Sequence, residues 1–183
     1  MVTVSKSSNP CDILTSHAKA TREIGGLFFF SATKNARIFL MKLKIKRLHP
    51  QAILPNYAHP GDVGLDMYSV EECVLNPGER RIVNCGFASE FEAGFAAIVK
   101  DKSGPSKNFG VHTIGGVFDP GYRGEYNVNL NNLGQEPYKI EVGQKIAQLI
   151  IYPVAIAELE EVTELADSSR GLGRFGSTGT HAK

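Results

Sequence analysis

The chain has 183 residues, of which 42% are hydrophobic and 21% charged, and this suits one globular domain with a core of its own. Its formal net charge of +1 argues against a surface that attracts nucleic acid or an anionic membrane. Residues 1–40 carry five basic and two acidic residues, and the rest carries 15 and 17. The body is therefore net negative, and a polyanionic ligand would need cations gathered at one site.

Cysteine content and hydropathy indicate a cytoplasmic location. The chain has three cysteines, Cys11, Cys73 and Cys85, and their spacing is not that of metal ligands. Because an odd number cannot all pair, we expect free thiols in a reducing compartment. The most apolar run, Ile24–Phe30, is shorter than the ~18 residues of a membrane span. It also lacks the cleavage signature of a secretory signal, so no membrane partner is expected.

Residues 1–40 show no sustained periodicity and are predicted to be a disordered, peripheral or non-native extension. Their basic composition permits a targeting segment, but they contain no Arg-rich amphipathic helix. From Met41 the pattern changes, because Leu43 and Ile45 alternate with lysines as in a half-buried strand. Met41 could be the natural start, a hypothesis that peptides from residues 1–40 in the native protein would refute.

Short strands separated by turn signals follow. The candidate strands are Val70–Leu75, Arg80–Phe87, Phe95–Lys100, Gly110–Phe118, Glu125–Leu130, Tyr138–Glu141 and Lys145–Glu161. One short helix is predicted over Ser103–Phe109, with Ser103 near its N-cap. These elements indicate an all-β domain over residues 41–165, a distorted β-barrel or double-sheet jelly roll. The Gly- and Ser-rich residues 166–183 are predicted to form a mobile arm.

Two early segments carry groups that suit a phosphate site. Asp66 lies between apolar neighbours in Gly61–Ser69, so its carboxylate is either paired or held at a site, although an ordinary turn-and-strand aspartate also fits. Lys102, Ser103 and Gly104 offer a cation, a hydroxyl and open backbone N–H groups at a helix start. Each pattern alone is common on protein surfaces.

The third segment, residues 111–128, is the most informative. Asp119 and Tyr122 lie at the predicted turn of a hairpin, and Gly115 and Gly116 precede that turn. Glycines weaken a strand, and close approach of a ligand to the backbone is a usual reason for them. The segment could therefore form a flat slot for a base and a sugar, with ordinary hairpin packing of Tyr122 as the alternative.

The last two segments are a strand and the C-terminal arm. Gln148 is the polar residue of an apolar strand, and a buried glutamine must be hydrogen-bonded, with or without a ligand. Residues 170–179 combine four glycines, two arginines, two hydroxyls and Phe175. Arginines and backbone N–H groups bind phosphates and an aromatic ring stacks on a base, so this arm is a candidate to wrap a triphosphate.

Taken in order, the five segments resemble the five motifs of the trimeric dUTP pyrophosphatases (dUTPases), and the resemblance runs from about Met41 to Thr180. It implies the dUTPase fold and hydrolysis of dUTP to dUMP and pyrophosphate with Mg²⁺. It also implies a homotrimer with shared active sites. Such an activity keeps uracil out of DNA and supplies dUMP for dTMP synthesis.

The resemblance also implies a role for each site residue. Asp119 matches the aspartate that activates the water attacking the α-phosphorus, and Tyr122 matches the aromatic that excludes a 2′-hydroxyl. Asp66 matches the aspartate that contacts Mg²⁺ through water, the ion lying mainly on the phosphates. The other implied substrate contacts are Lys102, Ser103, Gly104 and Gln148 near the phosphates, Thr113, Gly116, Val117, Phe118 and Asn127 in the uracil-reading hairpin, and Arg170, Phe175, Gly176, Ser177 and Thr178 in the closing arm.

The chain departs from the family pattern in motif two and in the arm. Lys102 stands where arginine is usual, which keeps the charge but loses bidentate geometry. Pro105 and Ser106 replace a common Leu-Ala pair, and Arg174 replaces a glycine. None of these changes removes a catalytic group, so they bear on rate and affinity.

Two other functions compete with this interpretation. The dCTP deaminases share the fold and a similar hairpin, but they need a glutamate on the returning strand, where this chain has Asn129. A catalytically silent relative that binds nucleotide or a protein partner would be free to lose Asp119. The presence of Asp119, Asp66, Tyr122 and the arm favours the hydrolase.

Overall fold

The structure is a computed structural model that describes residues 23–24, 27–32, 36–172 and 174. Within these ranges the chain forms β1 (Glu23–Ile24), β2 (Leu27–Ala32), β3 (Ala36–Leu40), β4 (Lys44–Arg47), β5 (Leu65–Tyr68), β6 (Cys73–Leu75), β7 (Arg80–Asn84), β8 (Phe87–Glu90), β9 (Phe95–Asp101), α1 (Ser103–Phe109), β10 (Val111–Thr113), β11 (Val117–Phe118), β12 (Asn127–Asn132), β13 (Tyr138–Ile140) and β14 (Lys145–Pro153). The prediction of an all-β domain with one short helix is confirmed.

The strands pair antiparallel in small sheets. The body contains the orders β10-β12-β7, β11-β9-β14-β5, β13-β6 and β4-β8, and their apolar residues meet in one core. This is the jelly-roll-like arrangement, and pairing among the described strands does not close into a barrel. No helix among the described residues is long and apolar enough to span a membrane.

Part of the segment predicted to be disordered or peripheral forms strands. The backbones of β1, β2 and β3 pair in a separate three-stranded sheet, in which Phe29 lies opposite Phe39. A sheet separate from those of the body is compatible with a peripheral segment, and the nature of residues 1–40 stays a prediction. The domain boundary at residue 40 stays a prediction.

Several local predictions are confirmed because the responsible signal is local. In β4, Ile45 is half-buried between exposed lysines, as its alternation predicts. The helix α1 covers the predicted residues, with Lys102 as its N-cap. It ends at Gly110, whose φ of 68° lies in the left-handed region that favours glycine.

Other strand boundaries differ from the predictions. The predicted strand Lys145–Glu161 ends at Pro153, which has no N–H for further pairing, and residues 154–172 are exposed without regular structure. The predicted strand Gly110–Phe118 is divided into β10 and β11. The strand β5 was missed because all four of its residues are buried, so it shows no alternation.

Two of the predicted free thiols belong to the core. Cys73 and Cys85 are both free and buried. Burial, reinforced by the negative charges of Glu125 and Glu71, raises the pKa of the Cys85 thiol to about 12. These residues therefore act as small hydrophobic side chains. Cys11 lies outside the described residues.

The buried side chain of Asn132 fastens the end of β12 to neighbouring loops. Its Nδ2 donates to Leu75 O and to Glu136 O, both at 2.8 Å, and its Oδ1 accepts from Gly134 N–H at 2.9 Å. Each bond satisfies a backbone group, and the bond to Leu75 O is buried, so the side chain holds β12 to the end of β6 and to the turn that follows β12.

We expect Asn132→Leu to destabilise the fold by about 2–5 kcal/mol, because the change leaves three backbone groups without partners. Urea unfolding followed by circular dichroism measures this. Asn131→Leu, one residue away on the opposite, half-buried face of β12, is the matched control. Equal losses in the two variants would contradict the role given to Asn132.

Candidate active site

The four-stranded sheet brings three of the predicted segments side by side. In β14, Gln148 lies opposite Asp66 of β5 and opposite Lys100 of β9. Residues directly opposite each other share one face of a sheet, so these three form a row. The strand β9 ends at Asp101, and Lys102 follows as the N-cap of α1. The predicted phosphate-binding segment therefore begins beside the Asp66 carboxylate.

Asp66 is buried between two lysines. Lys102 Nζ donates to its Oδ1, and Lys145 Nζ forms an ion pair with Oδ2 at 2.7 Å. Burial raises the pKa of the Asp66 carboxyl, but the hydrogen bonds and charges of Lys102 and Lys145 outweigh this effect and hold that pKa below its ordinary value. The carboxylate is therefore ionised at neutral pH. Two ammonium groups around one carboxylate leave one positive charge in excess.

A β-bulge in β14 directs Lys145 towards Asp66. Residues 145 and 148 are three apart, so a regular strand would turn them to opposite faces. The pairing shifts between Lys145 and Ala147, where β14 has one residue more than β5. Lys145 consequently lies opposite Tyr68, on the face that carries Asp66 and Gln148, with Nζ 5.9 Å from the Tyr68 ring centroid.

The Gln148 side chain is partly committed to the protein. Its Nε2 donates to Asp101 O at 2.8 Å, and its Oε1 lies against Gly64, where a Cβ has no room. Among the described residues, the second N–H of the amide has no partner. That N–H is available to a phosphate oxygen.

The first turn of α1 presents backbone donors. The first intrahelical bond runs from Ser106 N–H to Lys102 O at 3.1 Å. The N–H groups of Ser103 and Gly104 precede it and have no partner within the helix, and Pro105 has no N–H. Both Ser103 and Gly104 are exposed, so their N–H groups and the Ser103 hydroxyl are accessible to an anion.

Asp101, which sequence analysis missed, connects the end of β9 to β10. Its Oδ1 accepts from Thr113 N–H at 2.6 Å and from Thr113 Oγ1 at 2.7 Å, and its Oδ2 lies 2.7 Å from His112 Nδ1. Burial raises the pKa of the Asp101 carboxyl, but the hydrogen bonds from Thr113 and His112 outweigh it and hold that pKa below its ordinary value. An ionised carboxylate only accepts, so His112 Nδ1 is the donor.

The same contacts limit what Thr113 can offer to a substrate. Both of its donors, the N–H and the hydroxyl, are used by Asp101. The lone pairs of the hydroxyl oxygen and the methyl group remain. A substrate contact of Thr113 therefore stays a prediction, now restricted to accepting a hydrogen bond or packing.

One of the two hairpin glycines, Gly116, fits closely against β9. Gly115 and Gly116 have φ values of 71° and 90°, which favour glycine. Gly116 O accepts from Val99 N–H at 2.7 Å, and a Cβ at Gly116 would lie 2.7 Å from Val99 Cβ. The close approach is thus made by the protein's own strand, and Val117 and Phe118 continue by pairing with β9. Reading of uracil by this backbone stays a prediction.

Asp119 and Tyr122 lie at the turn that follows β11. Tyr122 N–H donates to Asp119 O at 3.0 Å, and the Tyr122 hydroxyl donates to Glu125 O at 3.0 Å. The Tyr122 ring lies against Gly124, where a Cβ would clash with it, and 5.5 Å from the Phe118 ring. The Asp119 carboxylate is exposed and has no hydrogen-bond or ion-pair partner among the described residues. It is therefore accessible to a water molecule.

Strand pairing separates this turn from the lysines. Phe118 lies opposite Ala97 of β9, whereas Lys102 follows the far end of β9. At about 3.3 Å per residue, the stretch from Ala97 to Lys102 covers about 17 Å. The predicted site residues of one chain thus form two groups, called half-sites below: one contains Asp119 and Tyr122, and the other contains Asp66, Lys102 and Gln148.

The remaining predicted contacts are described only in part. Asn127 is half-buried in β12, opposite Asn84 of β7. Arg170 is exposed in a turn in which Gly171 N–H donates to Ser168 O at 3.0 Å. The other predicted arm contacts, Phe175, Gly176, Ser177 and Thr178, lie outside the described residues.

The described residues could contact Mg²⁺ only if the substrate phosphates supplied most of its ligands. The described part of the chain has no group of three or more His, Cys, Asp or Glu side chains that could hold a metal. Mg²⁺ commonly keeps several waters and combines one or two carboxylates with substrate phosphates. Both Asp66 oxygens face ammonium groups, so this carboxylate suits a contact with the ion through water.

Comparison with known proteins identifies the family. The dUTPase family model matches residues 50–179. The chain belongs to the dUTPase family. It is 44% identical over 142 residues to the deoxyuridine 5'-triphosphate nucleotidohydrolase of Clostridioides difficile, covering 76% of this chain and 99% of that protein. It is 46% identical over 145 residues to the enzyme of the same name from Thermobifida fusca (strain YX), covering 78% and 81%.

Solved structures of the family share the fold. The dUTPase of Staphylococcus bacteriophage 80alpha with dUPNHPP superposes with a TM-score of 0.73 at 29% identity, covering 76% of this chain and 99% of that one. A mutant dUTPase from phage phi11 of S. aureus, described with a structural Mg(II) ion, has a TM-score of 0.64 at 26% identity and covers 67% and 97%. The all-β, jelly-roll-like prediction agrees with these relatives.

The ion pairs of Asp66 give a testable stability effect. We expect Lys102→Met to lower the free energy of unfolding by on the order of 1–3 kcal/mol at pH 7, because it removes one partner of a buried carboxylate. The folded-state pKa of Asp66 is lowered, so its contribution is present above the ordinary value of 3.8 and is lost as the pH falls below it. The difference between wild type and variant should therefore shrink below pH 3.8.

Urea unfolding at several pH values measures this difference. Lys139→Met is the control, because Lys139 forms ion pairs with Glu72 and Glu141 between exposed side chains. A loss in Lys102→Met that does not change with pH would contradict the assignment of the effect to ionised Asp66.

Proposed function

We propose that this dUTPase-family chain hydrolyses dUTP to dUMP and pyrophosphate, with Asp119 as the general base. The observation that carries the proposal is the exposed Asp119 carboxylate, without a partner among the described residues, beside a tyrosine ring fixed over Gly124. A base must reach the water that it deprotonates, and a carboxylate already bonded to the protein would be a poor candidate. The product dUMP is a precursor for dTMP, and removal of dUTP keeps uracil out of DNA.

The lysine-containing half-site binds the phosphates. Lys102 and Lys145 supply the excess positive charge, and Ser103, Gly104 and Gln148 supply hydrogen-bond donors. All of these groups are attached to the end of one sheet or to the first turn of α1. Donors fixed before the substrate arrives stabilise developing negative charge without reorganisation.

The reaction is an attack of water on the α-phosphorus. Asp119 accepts one proton from the water as its oxygen bonds to phosphorus, and the bond to the bridging oxygen breaks to release pyrophosphate. Mg²⁺, held mainly by the phosphates and reached by Asp66 through water, would neutralise part of their charge. Closure of the arm over the site, with Arg170 at the phosphates and Phe175, Gly176, Ser177 and Thr178 around the nucleotide, would exclude other water.

Selectivity comes from the hairpin. The Tyr122 ring, held by its hydroxyl bond to Glu125 O, packs under deoxyribose and leaves no room for a 2′-hydroxyl. The backbone at Gly116, Val117 and Phe118 reads uracil, and Thr113 and Asn127 lie at the two ends of this hairpin. A deaminase is disfavoured, because Asn129 carries an amide that cannot transfer protons.

The two half-sites support a homotrimer with shared active sites. Along β9, the position opposite Phe118 and the start of α1 are about 17 Å apart, so the Asp119 turn and the backbone donors of α1 in one chain do not meet. The Asp119 turn of one subunit therefore completes the lysine half-site of another, and residues 166–183 form the arm that closes over them. A cytoplasmic location remains a prediction from the cysteine content.

The first test is pyrophosphate release with Mg²⁺ from dUTP, dCTP, dTTP and UTP. We expect turnover of dUTP alone, and a loss of 100-fold or more in Asp119→Asn, in line with the ~10²–10⁴-fold contribution of a general base. Asp62→Asn, a change in an exposed loop, controls for the loss of one carboxylate. Tight dUTP binding without any pyrophosphate would make the protein a binder.

The second test asks whether the half-sites belong to different subunits. Asp119→Asn and Lys102→Met chains are each expected to be nearly inactive alone. Co-refolded as mixed oligomers, they should regain about a quarter of wild-type activity, because a site is intact when its lysine and its base come from suitable chains. Activity equal to the mean of the two single variants would place each whole site within one chain.

A further inference from the structure

We propose that Asp101 is a positioning residue that fixes the phosphate-binding segment against the first strand of the uracil-reading hairpin. This inference rests on the proposed function and assigns to that reaction a residue that the five motif comparisons leave without a role. Asp101 lies one residue before Lys102, and its carboxylate contacts β10, the strand that leads into the hairpin.

Asp101 has contacts in three directions. Its main-chain oxygen accepts from Gln148 Nε2, which ties it to β14. Its carboxylate accepts from Thr113 and from His112 on β10. The chain then continues directly into Lys102 and α1. A shift of Asp101 would therefore move the phosphate donors relative to the hairpin.

The carboxylate does more here than a neutral side chain could do. Three donors converge on its two oxygens at 2.6–2.7 Å, and the carboxylate accepts from all three at once. Hydrogen bonds to an ionised acceptor are shorter and about twice as strong as neutral ones. Asparagine in this place would turn one acceptor into a donor facing His112, so it would keep at most part of the arrangement.

The contacts between Thr113 and Asp101 allow an experiment that distinguishes positioning of the site from stabilisation of the fold. Its N–H bond holds the backbone of β10, while its hydroxyl bond orients the side chain beside the phosphate-binding segment. Thr113→Val removes the hydroxyl, both as donor to Asp101 and as acceptor, and Thr113→Ser keeps it, so the double variant with Asp101→Asn isolates the contact with Asp101. The pair therefore tests the contact with little change in size.

The experiment compares Asp101→Asn, Thr113→Val and Thr113→Ser with wild type in dUTP and dCTP hydrolysis. For Asp101→Asn we expect KM for dUTP to rise about tenfold with a smaller change in kcat, since Asp101 positions donors but does not touch reacting atoms. The ratio of kcat/KM for dUTP to kcat/KM for dCTP should fall. Thr113→Val should shift in the same direction, Thr113→Ser should return towards wild type, and the double variant Asp101→Asn/Thr113→Val should lose less than the sum of both changes.

Affinity for the non-hydrolysable analogue dUPNHPP, measured by calorimetry, separates this inference from the proposed function. If wild type binds the analogue but releases no pyrophosphate, the hydrolase proposal is wrong, and the affinity ratio between wild type and variants decides on Asp101. If wild type hydrolyses dUTP and a folded Asp101→Asn keeps its KM, affinity and selectivity, the role of Asp101 is wrong. Glu92→Gln, an exposed carboxylate in the loop before β9, is the control.

Should Asp101→Asn fail to fold, the threonine pair decides. Thermal unfolding identifies that case. Equal kinetics of Thr113→Val and Thr113→Ser would overturn the proposal, because only the first of them lacks the hydroxyl bond to Asp101. A difference that Ser restores supports it.

Discussion

The buried carboxylate of Asp66 is the constraint on which the site depends. A charge in this position is costly unless it is paired, and Lys102 at the start of α1 and Lys145 of β14 provide the pairing. The same contacts join β5 to β14 and to the end of β9, beside which the predicted phosphate donors lie. The interaction that makes the charge tolerable therefore also fixes the positions of Lys102 and Lys145.

Sheet geometry explains why one chain presents two half-sites. A strand fixes its residues at regular intervals, so groups on opposite ends of β9 cannot approach each other without breaking the pairing with β14. The turn with Asp119 is further restrained, because Phe118 stacks on Tyr126 at 4.1 Å and Tyr126 is fully buried. The fold thus holds the two half-sites at different positions along β9 within one chain.

The sequence predicts features whose causes are local and misses those that need long-range pairing. Alternation predicts β4, and a start signal near Ser103 predicts α1. The direction of the Lys145 side chain depends on a β-bulge, and this bulge is defined only by the pairing of β14 with β5. Asp101 gives a weak signal as an acidic residue between two lysines, but its partners, His112 and Thr113, become neighbours only when β10 lies beside the end of β9.

Two carboxylates, those of Asp66 and Asp101, lie beside the predicted phosphate donors, and a free carboxylate there would repel a phosphate. The partners of the two carboxylates offset this repulsion. Asp66 faces two ammonium groups, and Asp101 faces three donors, so neither presents an unsatisfied negative charge to a phosphate. Each carboxylate restricts flexible cationic or hydroxyl side chains before a ligand arrives. The entropy of ordering is thereby spent in folding and not in binding, which is the condition under which fixed donors assist a transition state.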